Sequence, residues 1–336
     1  MTRTRPGHSR ILVLLMAIPV SATGQEPTPT AVAADFRQHR IFVEAPAPWG
    51  EAVRFFTDSG GGFNMLMQDA VEHGRWEAVD TTVADQRSTV VAWPEWLLEA
   101  LPSATAVGGT PPLFRVVPRT PPATMLLDAS DAGVLGRTWY VGRRWYIDYA
   151  HRTLAFIEDP TGHRPDGAIP LALTRLPDGT PETGFASFHI HVAGARHGVL
   201  FDTGASGALS PEAQAAFGAP AGVMGMNFVS ESVAQGWLEA NPGWRVVRRG
   251  TLAGGDVIEV PCVEVAGHTV GPVLFETRPA GVFETQMSEW TDGPIVGAAG
   301  GELLRHFSVV ADYPGGWIAL DPVSSEPTCA PGDGAA

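Results

Sequence analysis

Two aspartates stand out for what precedes and follows them. The apolar run Gly198-Val199-Leu200-Phe201 leads into Asp202-Thr203-Gly204-Ala205-Ser206, and Val53-Arg54-Phe55-Phe56-Thr57 leads into Asp58-Ser59-Gly60-Gly61. Each run reads as a buried strand that glycine breaks into a tight turn. A carboxyl at the end of a buried strand is costly unless it is paired, hydrogen-bonded or neutralised. Two such acids, one in each half of the chain, are the first candidates for acid–base chemistry. Other side chains compete with them. Ser59 could act as a nucleophile if a histidine served as its base. Only His8 and His39 lie upstream, and neither sits in a matching motif. His189 and His191 are two apart on an expected strand, so they share a face and could grip a metal. No third ligand follows in order nearby, and a solvated strand face is the simpler reading.

The elements that must position these residues are short and mostly β. Strands are expected at Arg40–Glu44 and Ala52–Thr57, and a hairpin from Trp76–Val79 and Ser88–Trp93 around the polar tip Asp80–Arg87. Pro94–Ala100 suits one short helix with proline in its first turn. A proline-rich loop spans Pro111–Pro122, β character resumes at Met125–Asp128, and Ala132-Gly133-Val134-Leu135-Gly136 is an apolar pair boxed by glycines. Trp145–Tyr149 and Thr153–Ile157 alternate like a hairpin. In the second half Phe185–Val192 and His197–Phe201 feed the Asp202 turn. Ser210-Pro211 starts a helix with a cap and a first-turn proline, and Val229–Ala240 suits another. Asp256–Val260 and Cys262–Val265 alternate as strands. Gly293-Pro294-Ile295-Val296-Gly297 repeats the glycine-boxed pair, and Ser308–Tyr313 with Trp317–Leu320 repeats the closing hairpin.

Three landmarks therefore recur in the same order: Asp58 and Asp202, Gly136 and Gly297, Asp148 and Asp312. The separation widens between the first and second, so the second copy carries an insertion, expected around Ala219–Trp244. A repeat this long is no solenoid period. It implies one β-rich unit present twice, over residues 36–160 and 171–323, with a linker at 161–170 and a small-residue tail at 324–336. Asp148 and Asp312, each before a tyrosine in a hairpin, read as structural.

The chain has 336 residues, 44 % hydrophobic, with 39 glycines and 29 prolines, which suits a turn-rich all-β protein with two cores. Its net charge of −14 argues against nucleic acid or an anionic membrane as partner. Residues 1–24 have the layout of a secretory signal peptide: Arg3, Arg5 and Arg10, the apolar run Ile11–Val20, then small residues up to Gly24. That apolar run is too short to span a bilayer, so a secreted or periplasmic protein without a stable membrane anchor is expected. Residues 25–35 read as a flexible lead-in. Cys262 and Cys329 are the only cysteines, an even count that permits one disulfide or two free thiols.

An apolar strand, Asp-Thr/Ser-Gly, a glycine-boxed apolar pair and an Asp-Tyr hairpin, all present twice, resemble the pepsin/retropepsin-type aspartic proteases. Asp202-Thr203-Gly204-Ala205-Ser206 matches closely and Asp58-Ser59-Gly60-Gly61-Gly62 more loosely. The resemblance implies two similar β-barrel lobes on one chain with an active-site cleft between them, a monomer acting on an extended polypeptide, and no metal or organic cofactor. It makes Asp58 and Asp202 the catalytic pair sharing one water. Ser59, Gly60, Thr203 and Gly204 would support the loops, with Val134-Leu135 and Ile295-Val296 as apolar struts behind them. Gly61-Gly62 departs from the small-plus-hydroxyl pair usual there, and the flap tyrosine has no equivalent, leaving Trp76 or Trp93 to stand in. Two other functions fit parts of the pattern: a pepsin-like peptide-binding module without catalysis, and a trypsin-like serine protease using Ser59.

Overall fold

The computed structural model describes residues 27–83, 86–109, 111–120, 127–324 and 329. Among them the chain is mostly β with a few short helices. The first half holds β1 (Thr30–Val32), β2 (Ala34–Arg37), β3 (Arg40–Pro46), β4 (Ala52–Thr57), β5 (Asn64–Met67), β6 (Ala78–Val83), β7 (Gln86–Val91), β8 (Phe114–Val117), β9 (Asp131–Leu135), β10 (Arg144–Asp148) and β11 (Thr153–Ile157). The second holds β12 (Ile169–Pro170), β13 (Ser187–Val192), β14 (Ala195–Phe201), β15 (Ser206–Ala208), β16 (Val223–Gly225), β17 (Asn227–Ser230), β18 (Val246–Val247), β19 (Val257–Val260), β20 (Val263–Val265), β21 (His268–Val270), β22 (Val273–Arg278), β23 (Gly297–Ala299), β24 (Phe307–Asp312) and β25 (Trp317–Pro322). Helices α1 (Gln68–Gly74), α2 (Glu95–Leu98), α3 (Arg137–Tyr140), α4 (Pro211–Phe217), α5 (Glu231–Ala240) and α6 (Gly301–Leu304) join them.

Two large sheets share one plan. The first runs β2-β3-β4-β9-β5-β8-β7-β6, and the second, read from its far edge, runs β21-β20-β13-β14-β23-β17-β22-β19-β18. Directions agree as well. β4 lies parallel to β9 as β14 does to β23, and β5 lies parallel to β8 as β17 does to β22. A third, six-stranded sheet joins the halves in the order β1-β11-β10-β24-β25-β12. At its centre β10 and β24 run antiparallel, with Arg144 opposite Asp312, Tyr146 opposite Val310 and Asp148 opposite Ser308. The turn between β2 and β3 also bridges the halves: Gln38 O accepts from Gly225 N at 2.8 Å, and His39 Nδ1 lies 2.9 Å from Glu302 Oε2.

Alternation explains why these residues form strands. In β10, Trp145 and Ile147 are buried while Tyr146 and Asp148 are partly exposed, so the strand turns one face to a core. Trp145 packs there against Trp139 and Tyr140, with ring centroids 4.4 and 5.1 Å away. Burying a side chain of this size stabilises by about 1.5–3 kcal/mol. Ser210 caps α4 as its sequence suggests, its Oγ accepting from Ala213 N at 3.2 Å.

Several expectations change. Residues 30–37, placed largely in a flexible lead-in, form β1 and β2, because the apolar Val32 and Phe36 bury against the core. β8 lies inside the segment expected as a proline-rich loop, its Phe114 fully buried. The structural partner of Gly136 is Gly300, not Gly297: β9 pairs with β4 up to Thr57–Leu135, and β23 pairs with β14 up to Phe201–Ala299. The second strut is therefore Ala298-Ala299, not Ile295-Val296. With that register, Gly136/Gly300 and Asp148/Asp312 share one spacing, and the extra segment of the second half is β15, α4 and β16. It lies nearer Asp202 than the expected Ala219–Trp244. Trp76 and Trp93 flank the β6–β7 hairpin, partly buried, and pack against Phe114 at 6.1 and 4.6 Å. Cys262 and Cys329 form a disulfide with Cα atoms 5.9 Å apart, tying the tail to the second half. The proposed signal peptide, residues 1–24, lies outside the described residues. Among those described, no helix is long and apolar enough to cross a membrane.

Candidate active site

Each aspartate follows the last residue of a strand in the middle of its sheet. The neighbouring parallel strand holds its backbone: Asp58 N donates to Leu135 O at 2.8 Å, and Asp202 N donates to Ala299 O at 3.1 Å. One turn later the supporting strand is fixed by an asparagine. Asn64 Oδ1 accepts from Gly136 N and Asn227 Oδ1 accepts from Gly300 N, both at 2.9 Å. Both asparagines are buried, so each bond holds two loops in register where water cannot compete.

The two turns meet crosswise. Ser59 N donates to Thr203 Oγ1 at 3.1 Å, and Thr203 N donates to Ser59 Oγ at 2.9 Å. Ser59 Oγ in turn donates to Phe201 O at 2.9 Å. Both side chains are wholly buried, so these bonds join the halves in a low-dielectric setting. A nucleophilic role for Ser59 is ruled out here, because its hydroxyl is sealed and committed to backbone. The glycines complete the exchange. A methyl on Gly60 would overlap the Asp202 carboxyl, and one on Gly204 would overlap the Asp58 carboxyl. Each acid is thus packed on the other turn's glycine, the close approach that glycine permits.

The result is a pair of carboxyls brought together at one place, each lying against the other turn's glycine and each perturbing the other's ionisation. Asp202 is 8 % exposed, and Asp58 Oδ1 is sealed from solvent without a fixed donor. Burial, then the neighbouring negative charge, pushes the Asp58 carboxyl well above the ordinary aspartate range. Burial also raises Asp202, though less, because Asp58 and the amides of Gly204, Ala205 and Gly60 hydrogen-bond its carboxylate. Both are raised, so the pair titrates as a unit and shares a proton.

Around this centre lie residues that motif reading missed. Tyr140 is buried with its hydroxyl 3.0 Å from Thr203 Oγ1, and the Tyr313 ring packs 6.5 Å from those of both Tyr140 and Phe201, tilted to the first and edge-on to the second. Asn64 opens β5 and Asn227 opens β17, but β15, α4 and β16 separate Asn227 from its acid, which hides the correspondence in the sequence. His189 and His191 sit on β13 beside Arg196 and Glu264, lining a surface cavity of about 210 Å³ away from the acids. Burial, then the charge of Arg196, lowers the His189 pKa, and among the described residues no three metal-binding side chains gather.

The glycine contacts carry a direct test. Gly204→Ala is expected to lose about 1–3 kcal/mol in urea denaturation, since its methyl must displace the Asp58 carboxyl or the backbone. Gly236→Ala, inside α5 with open space around it, should instead gain about 0.5–1 kcal/mol from helix propensity.

No family model matches the chain, and no curated protein does so either, leaving this geometry as the basis for assigning a function.

Proposed function

We propose that the chain is an exported, two-lobed aspartic endopeptidase of the pepsin/retropepsin type. Each large sheet forms one lobe, and the six-stranded sheet forms the base beneath a cleft that takes an extended polypeptide. The observation that carries this reading is the reciprocal packing of Gly60 on Asp202 and Gly204 on Asp58, locked by the crosswise Ser59–Thr203 bonds. A buried structural acid needs one compensating partner. Here two acids are held against each other, at a cost the fold bears only where a shared proton is useful.

The chemistry follows from where that proton sits. With one carboxyl ionised and the other protonated, Asp202 as the ionised member accepts a proton from a water lying between the carboxyls, and that water adds to the scissile carbonyl carbon. Asp58 gives its proton to the carbonyl oxygen, producing a neutral gem-diol. Collapse breaks the C–N bond: Asp202 hands its proton to the leaving nitrogen, and Asp58 recovers one from a diol hydroxyl. The products are an acid and an amine, and the pair returns to its starting state. Both lobes lie on one chain, so the site needs no second copy and the working form is a monomer. The Cys262–Cys329 disulfide fits an oxidising compartment, in keeping with secretion or a periplasmic location.

The test is incubation of the chain lacking residues 1–24 with a denatured protein, from roughly pH 3 to pH 7, with and without pepstatin. Pepstatin-sensitive cleavage is the expected result. Peptide binding without cleavage at any pH would overturn the assignment in favour of a binding module.

A further inference from the structure

Next to the acid turn the first half places two cations that no carboxylate answers. Arg115, on β8, lies with its guanidinium carbon 3.7 Å from the centroid of the Phe63 ring, and Arg137, the first residue of α3, lies 5.5 Å from the same ring. Arg137 also covers Phe185 at 4.4 Å, and its Nε donates to Thr183 O. Its backbone N–H donates to Gly61 O at 3.2 Å, so the residue is anchored to the Asp58 turn itself. Gly62 follows, exposed, with Arg137 Nη1 3.8 Å from where its Cβ would stand.

The two guanidiniums stay close although each repels the other. Burial comes first, and the Arg115 charge second, in pulling the Arg137 pKa down to about 10; burial lowers that of Arg115 too. Neither arginine has an ion-pair partner among the described residues, and Arg115 Nε is buried without an acceptor. The neighbouring partners are aromatic faces and two carbonyl oxygens, which orient a guanidinium but leave its charge uncompensated. Other arginines of the same fold do meet carboxylates: Arg144 has Asp312, Arg54 has Asp131 and Arg143 has Glu158. What sets Arg115 and Arg137 apart is that both lie against one ring, Phe63, and that Arg137 is bonded to the acid turn itself.

We propose that Arg115 and Arg137 form a specificity subsite for a substrate carboxylate, presented by an aspartate or glutamate side chain or by a free C-terminus near the scissile bond. This rests on the endopeptidase reading, since it places the substrate along the Asp58 turn. The carboxylate reaches the arginines over Gly62, where no side chain intervenes, and takes up the forked N–H groups. Given the reach of an extended chain, it belongs to a residue within about three of the cleaved bond.

The experiment uses matched peptide series carrying Glu, Gln or a free or amidated C-terminus at each position around one bond. Cleavage is measured with wild type, and equilibrium binding by anisotropy with the inactive Asp58→Asn protein. Expected is a preference of about tenfold or more for the acid over the amide at one position, lost in Arg115→Gln and Arg137→Gln. Gly62→Asp keeps both arginines but supplies an internal carboxylate, and it should erase the same preference. That variant decides the matter even if Arg137→Gln fails to fold. Preference for internal Glu marks a side-chain subsite, and preference confined to free C-termini marks a terminus-binding one. Cleavage or binding indifferent to the carboxylate, or a preference unchanged in Arg115→Gln and Gly62→Asp, overturns the subsite and leaves the endopeptidase reading standing. Arginine-dependent acid binding without wild-type cleavage supports the subsite and removes the hydrolase.

Discussion

On the proposed endopeptidase reading, Asp58→Asn and Asp202→Asn are each expected to remove hydrolysis, with kcat/KM falling at least about 10³-fold, while the fold is kept. Asparagine has the size and shape of aspartic acid but neither takes nor gives the proton that must cross between water, carbonyl and leaving nitrogen. Asp58→Asn carries a second consequence, of opposite sign. The Asp58 carboxyl is raised well above its ordinary value of 3.8, so the folded chain binds that proton more tightly than the unfolded chain does. Its contribution to stability is full below 3.8 and is lost as pH rises through the raised folded value. At neutral pH the wild type therefore carries a penalty for ionising the pair, and Asp58→Asn does not. The variant should be more stable than wild type at pH 7, the gap closing as pH falls toward 4. Guanidinium titrations at several pH values measure it. An inert variant that is also less stable at pH 7 would show that these acids serve the fold instead of the chemistry.

Asp312→Ala should cost about 3–5 kcal/mol and abolish activity with it. Asp312 Oδ2 accepts from Arg144 Nη2 at 2.7 Å and from Nε at 3.1 Å, and both side chains are only 3 % exposed. Its Oδ1 also accepts from Gly315 N at 2.8 Å, closing the turn between β24 and β25. Truncation removes the buried carboxylate that faces this guanidinium at the strand pair that joins the halves, and with it two charge-assisted hydrogen bonds. Asp148 holds the corresponding place in the first half, but it bonds only the local His151, whose side chain is largely exposed. Asp148→Ala should change stability by about 1 kcal/mol or less. Replacing both partners, as in Arg144→Met with Asp312→Leu, should recover much of the loss, because no unpaired charge then remains. Equal losses for Asp148→Ala and Asp312→Ala would contradict this account.

The acid turns were legible in the sequence because strand, acid, hydroxyl and glycine are consecutive, and local patterning records them. So were the closing hairpins, where Trp145 and Ile147 alternate inward. What the sequence concealed depends on contacts between distant residues. Gly297 was a plausible partner for Gly136 by local composition, and only the strand pairing of Phe201 with Ala299 assigns Gly300 instead. Asn64 and Asn227 are single polar residues at strand starts, ordinary by type, and their role appears when each meets a glycine amide across a sheet. β1 reads as lead-in from its sequence because Pro, Thr and Ala dominate its surroundings; its order comes from pairing with β11. The arginine pair was equally silent, since being unanswered is a property of the surroundings and not of the residue.

The central seam of the six-stranded sheet has a property that reaches beyond this chain. Arg144 faces Asp312, Asp148 faces Ser308, and Tyr146 faces Val310, so exchanging the two strands maps the pairing onto itself. A strand with that register is complementary to its own copy. Two separate molecules of the first half, meeting along β10, would set Arg144 of each across from Asp148 of the other, one ionic contact at either end. The single-chain protein thus has at its centre the geometry of an isologous dimer, with Ser308 standing where strict symmetry would call for a second arginine.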